Sequence, residues 1–434
     1  MTARAEGKAA RERAPRSAHA AWSPAVDRQD PVETLAHDDR GRLTELLPIR
    51  YERMLESPFA FYRGAASIMA RDLQGTPESG IRTQICGDAH LSNFGGFATP
   101  ERNLVFDVND FDETTPGGAW EWDVKRLAAS VVIAGRHLNF RARDIDVAVL
   151  AAVRRYRERV IAYAGMHVLD VWYARIDEVS LAEAVRLAAA RNGARAFSSL
   201  VDLEGTPPHI RDRKPLVFRP PDADAFIATV RDAFDRYRAS LSIERQRLFD
   251  RFRFVDAAYK VVGVGSVGTR CSVALFLAAE GDFLLLQLKE ARASVYESFV
   301  GEAAMEDHGE RVVSGQRLMQ TASDLFLGCA RASDDRTYYV RQLHDAKTGA
   351  DIERMTPREL AHYASICGWG LARAHAKAGG DASRIAGYLG RGAGFDEALA
   401  GFAHVYASQN QRDFDALVDA RKAGRLPTAQ KRST

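Results

Sequence analysis

The sequence predicts an α+β fold in which a small antiparallel sheet is joined to a larger, mainly helical part. Two observations predict it. Over much of the chain apolar residues recur at helical spacing, as in Ile145, Val149, Ala152, Tyr156, Val160 and Tyr163, with Arg154, Arg155, Arg157 and Arg159 mostly between them. From residue 254 to 290 the character changes to apolar and β-branched runs: Tyr259-Lys-Val-Val262, Cys271-Ser-Val-Ala-Leu-Phe-Leu277 and Phe283-Leu-Leu-Leu-Gln-Leu288, with Gly281-Asp282 as a hairpin signal between the last two. Three antiparallel strands are the reading of that stretch.

Bulk properties narrow the class. A chain of 434 residues, 46% hydrophobic and 27% charged, is an ordinary globular protein with material for two lobes or domains. The 60 basic and 58 acidic residues leave a net charge of +2, so neither nucleic acid nor a membrane is expected as partner. No apolar run reaches the roughly eighteen residues of a membrane span, and residues 1–31 lack the apolar core of a signal peptide. A cytoplasmic location follows as the expectation. Cys86, Cys271, Cys329 and Cys367 are scattered, which suggests neither a disulfide framework nor a zinc site.

Taken in order, residues 1–30 are rich in Ala and Arg and read as a disordered basic tail, a nucleic-acid arm being the weaker alternative. Residues 31–252 read as a helical lobe. Within it, residues 49–73 favour helix but break at Ser57-Pro58, leaving Tyr62 and Arg63 in either a packed corner or an anion-recognition wall; composition favours the corner. A helix is expected over 120–138 with Asp123, Lys125 and Arg126 on it, another over 181–190, a proline-rich loop over 205–222, and one long charged helix over 223–252. Residues 253–345 form the sheet part. They include an expected helix over 308–319 and strands over 324–331 and 337–343. Residues 346–423 are closing helices, the first opened by Thr356-Pro-Arg-Glu359, a capping box with Pro at its first position. Residues 424–434 read as a flexible tail.

One stretch carries the chemistry. Cys86-Gly-Asp-Ala-His-Leu-Ser-Asn-Phe-Gly95 and Leu104-Val-Phe-Asp-Val-Asn-Asp-Phe-Asp-Glu113 place Asp88, His90, Asn93, Asp107, Asp110, Asp112 and Glu113 between apolar runs. Clustered carboxylates in apolar surroundings raise one another's pKa unless a cation sits among them. Oxygen donors of this kind suit Mg²⁺ or Mn²⁺ better than zinc. The alternative is an Asp- and Asn-rich turn that only caps helices and closes hairpins. Density and spacing favour the metal: Asp88 and Asn93 lie five apart, the interval of the catalytic Asp and metal-binding Asn in H-R-D-x-x-x-x-N. Alternation places Asp110 and Asp112 on one face and Asp107 on the other.

A second constellation lies downstream. Gly263-Val-Gly-Ser-Val-Gly268, with Ser266 inside it, is followed by a strand and not by a helix, so a glycine-rich hairpin over phosphates fits better than a dinucleotide fold. Lys289, at the end of the third strand, is then a candidate phosphate ligand or an ordinary exposed strand end. Glu310, on the expected helix, is the first candidate to pair with Lys289, and Glu302 the second.

These residues resemble a known series. Gly87-Asp-Ala-His-Leu-Ser-Asn93, Val108-Asn-Asp-Phe-Asp-Glu113 and Trp122-Asp-Val-Lys-Arg-Leu-Ala128 are similar to the H-G-D-x-H-x-x-N, I-D-F-D and Y-D-L-A runs of aminoglycoside and choline phosphotransferases in the protein-kinase-like superfamily. Over residues 49–417 the chain is also similar to a bacterial family known only as a domain of unknown function, with G-D-A-H-x-x-N-F-G and F-D-x-N-D-F-D-E as hallmarks. The order departs from the superfamily: the catalytic loop comes first and the glycine loop, Lys289 and Glu310 follow. Gly370-Leu-Ala-Arg-Ala-His-Ala376, which resembles the L-A-x-L-H helix that precedes the catalytic loop there, lies near the end. The resemblance therefore implies a circularly permuted, two-lobed protein-kinase-like fold. Cys86 also departs, standing where those enzymes usually have His.

The resemblance further implies an ATP- and Mg²⁺-dependent phosphotransferase acting on a hydroxyl of a small-molecule acceptor that the family does not name. Asp88 would accept the acceptor proton, and Asn93 and Asp110 would hold the metal, with Asp107 and Asp112 competing for it. Lys289, oriented by Glu310, would neutralise phosphates beneath Gly263, Gly265, Ser266 and Gly268. Asp123 would brace the loop, His90 would touch phosphate or acceptor or make a structural hydrogen bond, and Tyr62 and Arg63 would face the acceptor. A nucleotide-binding regulatory pseudokinase, a metal-dependent phosphohydrolase and a nucleotidyltransferase remain alternatives.

Overall fold

The computed structural model describes residues 1–176, 181–182, 200–202, 207–279, 281–343 and 348–428. Helices and small antiparallel sheets are mixed, the helical part being the larger. Among the described residues no helix is long and apolar enough to cross a membrane.

The largest sheet has six strands in the order Gly328–Arg331, Thr337–Gln342, Phe283–Glu290, Cys271–Leu277, Arg253–Lys260 and Val217–Phe218, with every neighbouring pair antiparallel. The three strands expected from residues 254–290 are its centre. Strand alternation sorts their side chains. Ala274, Phe276, Leu284, Leu286 and Leu288 pack with Phe226, Val230, Phe234 and Tyr237 of the helix Ala223–Arg238. That cover leaves Gln287 and Lys289 on the opposite face, both buried.

Two smaller sheets frame the acidic stretch. Phe94–Ala98 and Leu104–Val108 form a hairpin flanked by Thr348–Gly349, and Arg82–Ile85 pairs with Thr115–Ala119. Residues 86–93 and 109–114 are consequently loops pinned at both ends by strands. Behind them runs the helix Trp120–His137, whose residues 120–135 are all buried. It packs against the helices Ala142–Tyr163, Pro357–Gly379 and Gly394–Lys422. The helices Ala142–Tyr163 and Pro357–Gly379 approach closely because Gly368 has no side chain: a Cβ there would lie 2.1 Å from the Ala152 carbonyl oxygen. The capping box at Thr356 and Glu359 is formed, and Gly380 ends that helix in the left-handed conformation.

The structure corrects three expectations. Residues 3–20 are not a disordered tail: Ala3–Arg13 is a helix docked on the helix Ala382–Leu389, and Arg11 and Arg16 donate to the carbonyls of Gly387, Tyr388 and Leu389. Small residues, which depress hydrophobicity, are what permits this contact. The single helix expected over 223–252 is two, Ala223–Arg238 and Ile243–Phe249, because the chain turns at Ser240–Ser242 and folds Phe249 back onto Phe234 and Phe276. Leu426, in the supposed flexible tail, is buried with Leu35 and Leu417. Most of the helix expected over 181–190 lies outside the described residues.

Candidate functional site

The residues of the acidic stretch and of the glycine hairpin line one cleft of about 850 Å³. Asp88, His90, Asn93, Asp110, Asp112 and Glu113 reach it from one side, and Gly263, Gly265 and Ser266 from the other.

The loop carrying Asp88 is held by charge buried beneath it. Asp123, fully buried in the first turn of its helix, accepts from the backbone N–H groups of Cys86 at 2.8 Å and Gly87 at 2.9 Å. His375 Nε2 lies 3.0 Å from the same carboxylate, with its Nδ1 2.8 Å from the Tyr156 hydroxyl. One turn along the same helix face as Asp123 stands Arg126, also fully buried, which donates through Nε to Asp88 Oδ1 at 2.8 Å. Tyr62 is not an open acceptor contact. It is 2% exposed, its hydroxyl donates to the Arg126 carbonyl, and its ring stacks under the Arg126 guanidinium at 3.9 Å. Arg63, its neighbour, does line the cleft.

The rest of the loop folds on itself. Asn93 donates its amide to the Asp88 carbonyl at 2.8 Å, and Asn109 N–H donates to the Asn93 carbonyl. His90 is 3% exposed, with Nε2 3.5 Å from Asp88 and, among the described residues, no hydrogen-bond partner at Nδ1. Burial pushes its pKa down to about 3 against the pull of Asp88, with the charges of Arg126 and Arg63 adding to the lowering. Burial also pushes the Glu113 carboxyl up to about 7, against the N–H of Val295 and the charge of Arg311.

Asp112 joins the two constellations. It pairs with the Lys289 ammonium and accepts from the Tyr339 hydroxyl at 2.8 Å and the Ser266 hydroxyl at 3.1 Å. Burial alone would lower the pKa of Lys289, but Asp110 and Asp112 hold it well above the usual lysine value. Lys289 is 2% exposed and is not part of the cleft wall.

Two site assignments are corrected. Glu310 is exposed, and Lys289 pairs with Asp112 instead. The helix His308–Met319 turns its next residue inward: Arg311, 1% exposed, donates to the carbonyls of Asp112, Thr114 and Arg292. Consecutive helical positions point about 100° apart, so only one of the two can face the loop. Asp107 is not a metal competitor. It is fully buried, pairs with Arg373 at 2.7 Å and accepts from the Thr321 N–H. Among the described residues no three His, Cys, Asp or Glu side chains are grouped to hold a metal by themselves.

The glycine hairpin is fixed from outside. Arg42 and Arg50 donate to the carbonyls of Val267 and Val264, and the Leu43 N–H donates to the carbonyl of Gly268, which has φ +88°. These contacts, with Arg126, Arg311, Tyr339 and Arg373, were missed in the sequence. Only Arg126 carried a signal, its three-residue spacing from Asp123.

A mixed α/β protein whose acidic loop and glycine hairpin share a ligand-sized cleft is the class that fold and site define. The chain belongs to a bacterial family described as "Uncharacterized protein conserved in bacteria (DUF2252)", whose model matches residues 42–420. No curated protein and no solved structure matches it.

Proposed function

We propose that the protein is an ATP- and Mg²⁺-dependent phosphotransferase acting on a hydroxyl of a small molecule, with a circularly permuted protein-kinase-like fold. The observation that carries the reading is the junction at Asp112, where Lys289 and Ser266 of the downstream hairpin meet the upstream acidic loop. The order of parts supports permutation: strand, glycine hairpin, strand, Lys289 strand and the Arg311 helix follow the acidic loop, and the helix bearing His375 comes after them all.

The donor set fits a hard cation. Asn93 and Asp110 offer an amide and a carboxylate at the cleft, and Mg²⁺ is ordinarily held by one or two such groups together with phosphate oxygens and water. When bound it would neutralise charge on the transferring phosphoryl group. The acceptor oxygen attacks the γ-phosphorus, the bond from that phosphorus to the β,γ-bridging oxygen breaks, and ADP leaves. The acceptor proton passes to Asp88, whose Oδ1 is taken by Arg126 and whose Oδ2 is left toward His90. Asp123 fixes the loop on which Asp88 sits. Lys289 holds Asp112 in place and reaches phosphate only by exchanging Asp112 for it.

The test is a thermal melt with and without MgATP, since a ligand at 100 times its Kd adds about 2.7 kcal/mol of stability. A shift that EDTA removes is expected, followed by acceptor-dependent ATP consumption. Asp88→Asn should cut turnover about 10²- to 10⁴-fold and leave the melt shift in place. Absence of any shift at millimolar MgATP sinks the reading.

A further inference from the structure

Much of the cleft wall beside the glycine hairpin is built by the chain's own residues 22–42 and 63–75. Two guanidinium groups at the cleft, those of Arg71 and Arg292, donate to neutral groups. Arg71 is exposed and donates to the Gln29 side-chain oxygen at 3.0 Å. Arg292 donates to the backbone carbonyls of Asp38 at 3.2 Å and Arg40 at 2.6 Å. Arg63 lies over the Phe59 ring, and its charge reaches His90.

The carboxylates on the same wall are largely engaged. Asp72 accepts from Arg28 at 2.7 and 2.8 Å and from the Tyr406 hydroxyl at 2.9 Å. Asp38 accepts from Ser67, and Glu290 pairs with Arg270. Asp27 stands exposed at the edge. On this wall the guanidinium groups of Arg28, Arg40, Arg42, Arg63, Arg71 and Arg292 outnumber the carboxylates of Asp27, Asp38, Asp72 and Glu290, so positive charge is in excess. His90 adds an independent sign of a missing partner, a ring nitrogen on the cleft wall that is buried with no hydrogen bond among the described residues. Leaving such an atom buried and unpaired is costly.

We propose that this wall, through Arg71 and Arg292, binds a phosphate or carboxylate group carried by the acceptor, which is then a small hydroxylated anion. A cationic amino alcohol would meet like charge, and a neutral sugar would leave the guanidinium groups uncompensated. A volume of about 850 Å³ enclosed by the chain's own N-terminal segment suits a small molecule and not a folded protein. This assignment of the acceptor class rests on the transferase reading.

The test separates the two. Melts are recorded with Mg²⁺ and a non-hydrolysable ATP analogue at saturation, then titrated with sodium phosphate and with sodium malonate against sodium chloride of equal ionic strength. Phosphate or malonate should raise the melting temperature beyond the chloride control. Arg71→Ala and Arg292→Ala should each weaken that response about ten- to hundredfold, the equivalent of one charge-assisted hydrogen bond. Arg71→Lys should recover part of it. Which of the two anions acts more strongly says whether the acceptor group is a phosphate or a carboxylate. No response beyond chloride, or one indifferent to both substitutions, overturns the inference. So does a phosphate response seen only without the analogue, because the arginines would then hold the nucleotide's own phosphates. No shift with the analogue itself defeats the transferase reading and leaves the anion site to stand or fall on the phosphate and malonate arms alone.

Discussion

Arg126 holds Asp88 by a single oxygen: its Nε and Nη2 both reach Asp88 Oδ1, at 2.8 and 2.7 Å, while its Nη2 also donates to the Tyr62 carbonyl. The guanidinium is fully buried and the carboxylate 18% exposed at the cleft, so the charge beneath the loop sets where the loop's acid points. A buried cation deprived of its carboxylate is costly, and a carboxylate deprived of its cation can rehydrate at the cleft. Asp88→Asn should therefore destabilise the protein by about 3 kcal/mol, and Arg126→Met by less. The double variant should cost at least about 1 kcal/mol less than the sum of the two. Urea denaturation of the four proteins measures the coupling, and strict additivity would mean that the contact is incidental.

Asp107 and Asp110 should part company in experiment. Asp107 is sealed in a fully buried pair with Arg373, so Asp107→Asn should remove about 3–5 kcal/mol of stability. Asp110 lines the cleft, and Asp110→Asn should leave the fold nearly unchanged while abolishing the MgATP shift. If Asp107→Asn removed the shift in a protein still fully folded, the metal would belong to Asp107.

What was legible in the sequence was whatever is encoded locally. Strand alternation in residues 271–290, the capping box at Thr356 and the density of acids in residues 88–113 are each decided by neighbours within a few residues, and the structure contains them. What escaped depends on partners far along the chain. Glu310 and Arg311 are equally plausible helical charges, and only the position of the loop carbonyls at 112 and 114 selects Arg311. Asp107 looks like its acidic neighbours until Arg373, 266 residues away, takes it out of the cleft. The N-terminal 30 residues misled because an Ala- and Arg-rich segment resembles disorder by composition, and close helix packing needs the same small side chains.

Acid should loosen that N-terminal segment through His19. The ring is fully buried, with Nε2 2.6 Å from the Tyr388 hydroxyl, and burial together with Lys125 lowers its pKa to about 3. A histidine depressed in the folded state contributes stability that is complete above its unfolded value of about 6.5 and is lost as pH falls below it. Between pH 6 and 4 the unfolded chain takes up a proton that the folded one refuses, a slope of about 1.4 kcal/mol per pH unit. His19→Leu should flatten the stability curve by that amount over this range, with His90 contributing a separate, unaltered slope. Urea midpoints taken from pH 7 to 4.5 read it, and identical slopes in wild type and variant would show that His19 titrates normally.

Docking of the first helix should hinge on Gly7. A Cβ there would stand 1.9 Å from the Arg384 carbonyl oxygen, and one on Gly387 would stand 2.1 Å from the Arg4 carbonyl oxygen, so each glycine seats the other helix's backbone. Backbone cannot yield as a flexible side chain can, and Gly7→Val should undock the segment 3–20 at a cost of about 1–3 kcal/mol. Arg11, Arg13 and Arg16 would then be open to trypsin. Gly75→Ala, with nothing within 4 Å of its Cβ, is the matched control. Limited proteolysis should clip the first twenty residues of Gly7→Val well before those of wild type or control. Equal rates in all three would show that the helix is held by its arginine contacts to residues 387–389 without need of the glycine seat.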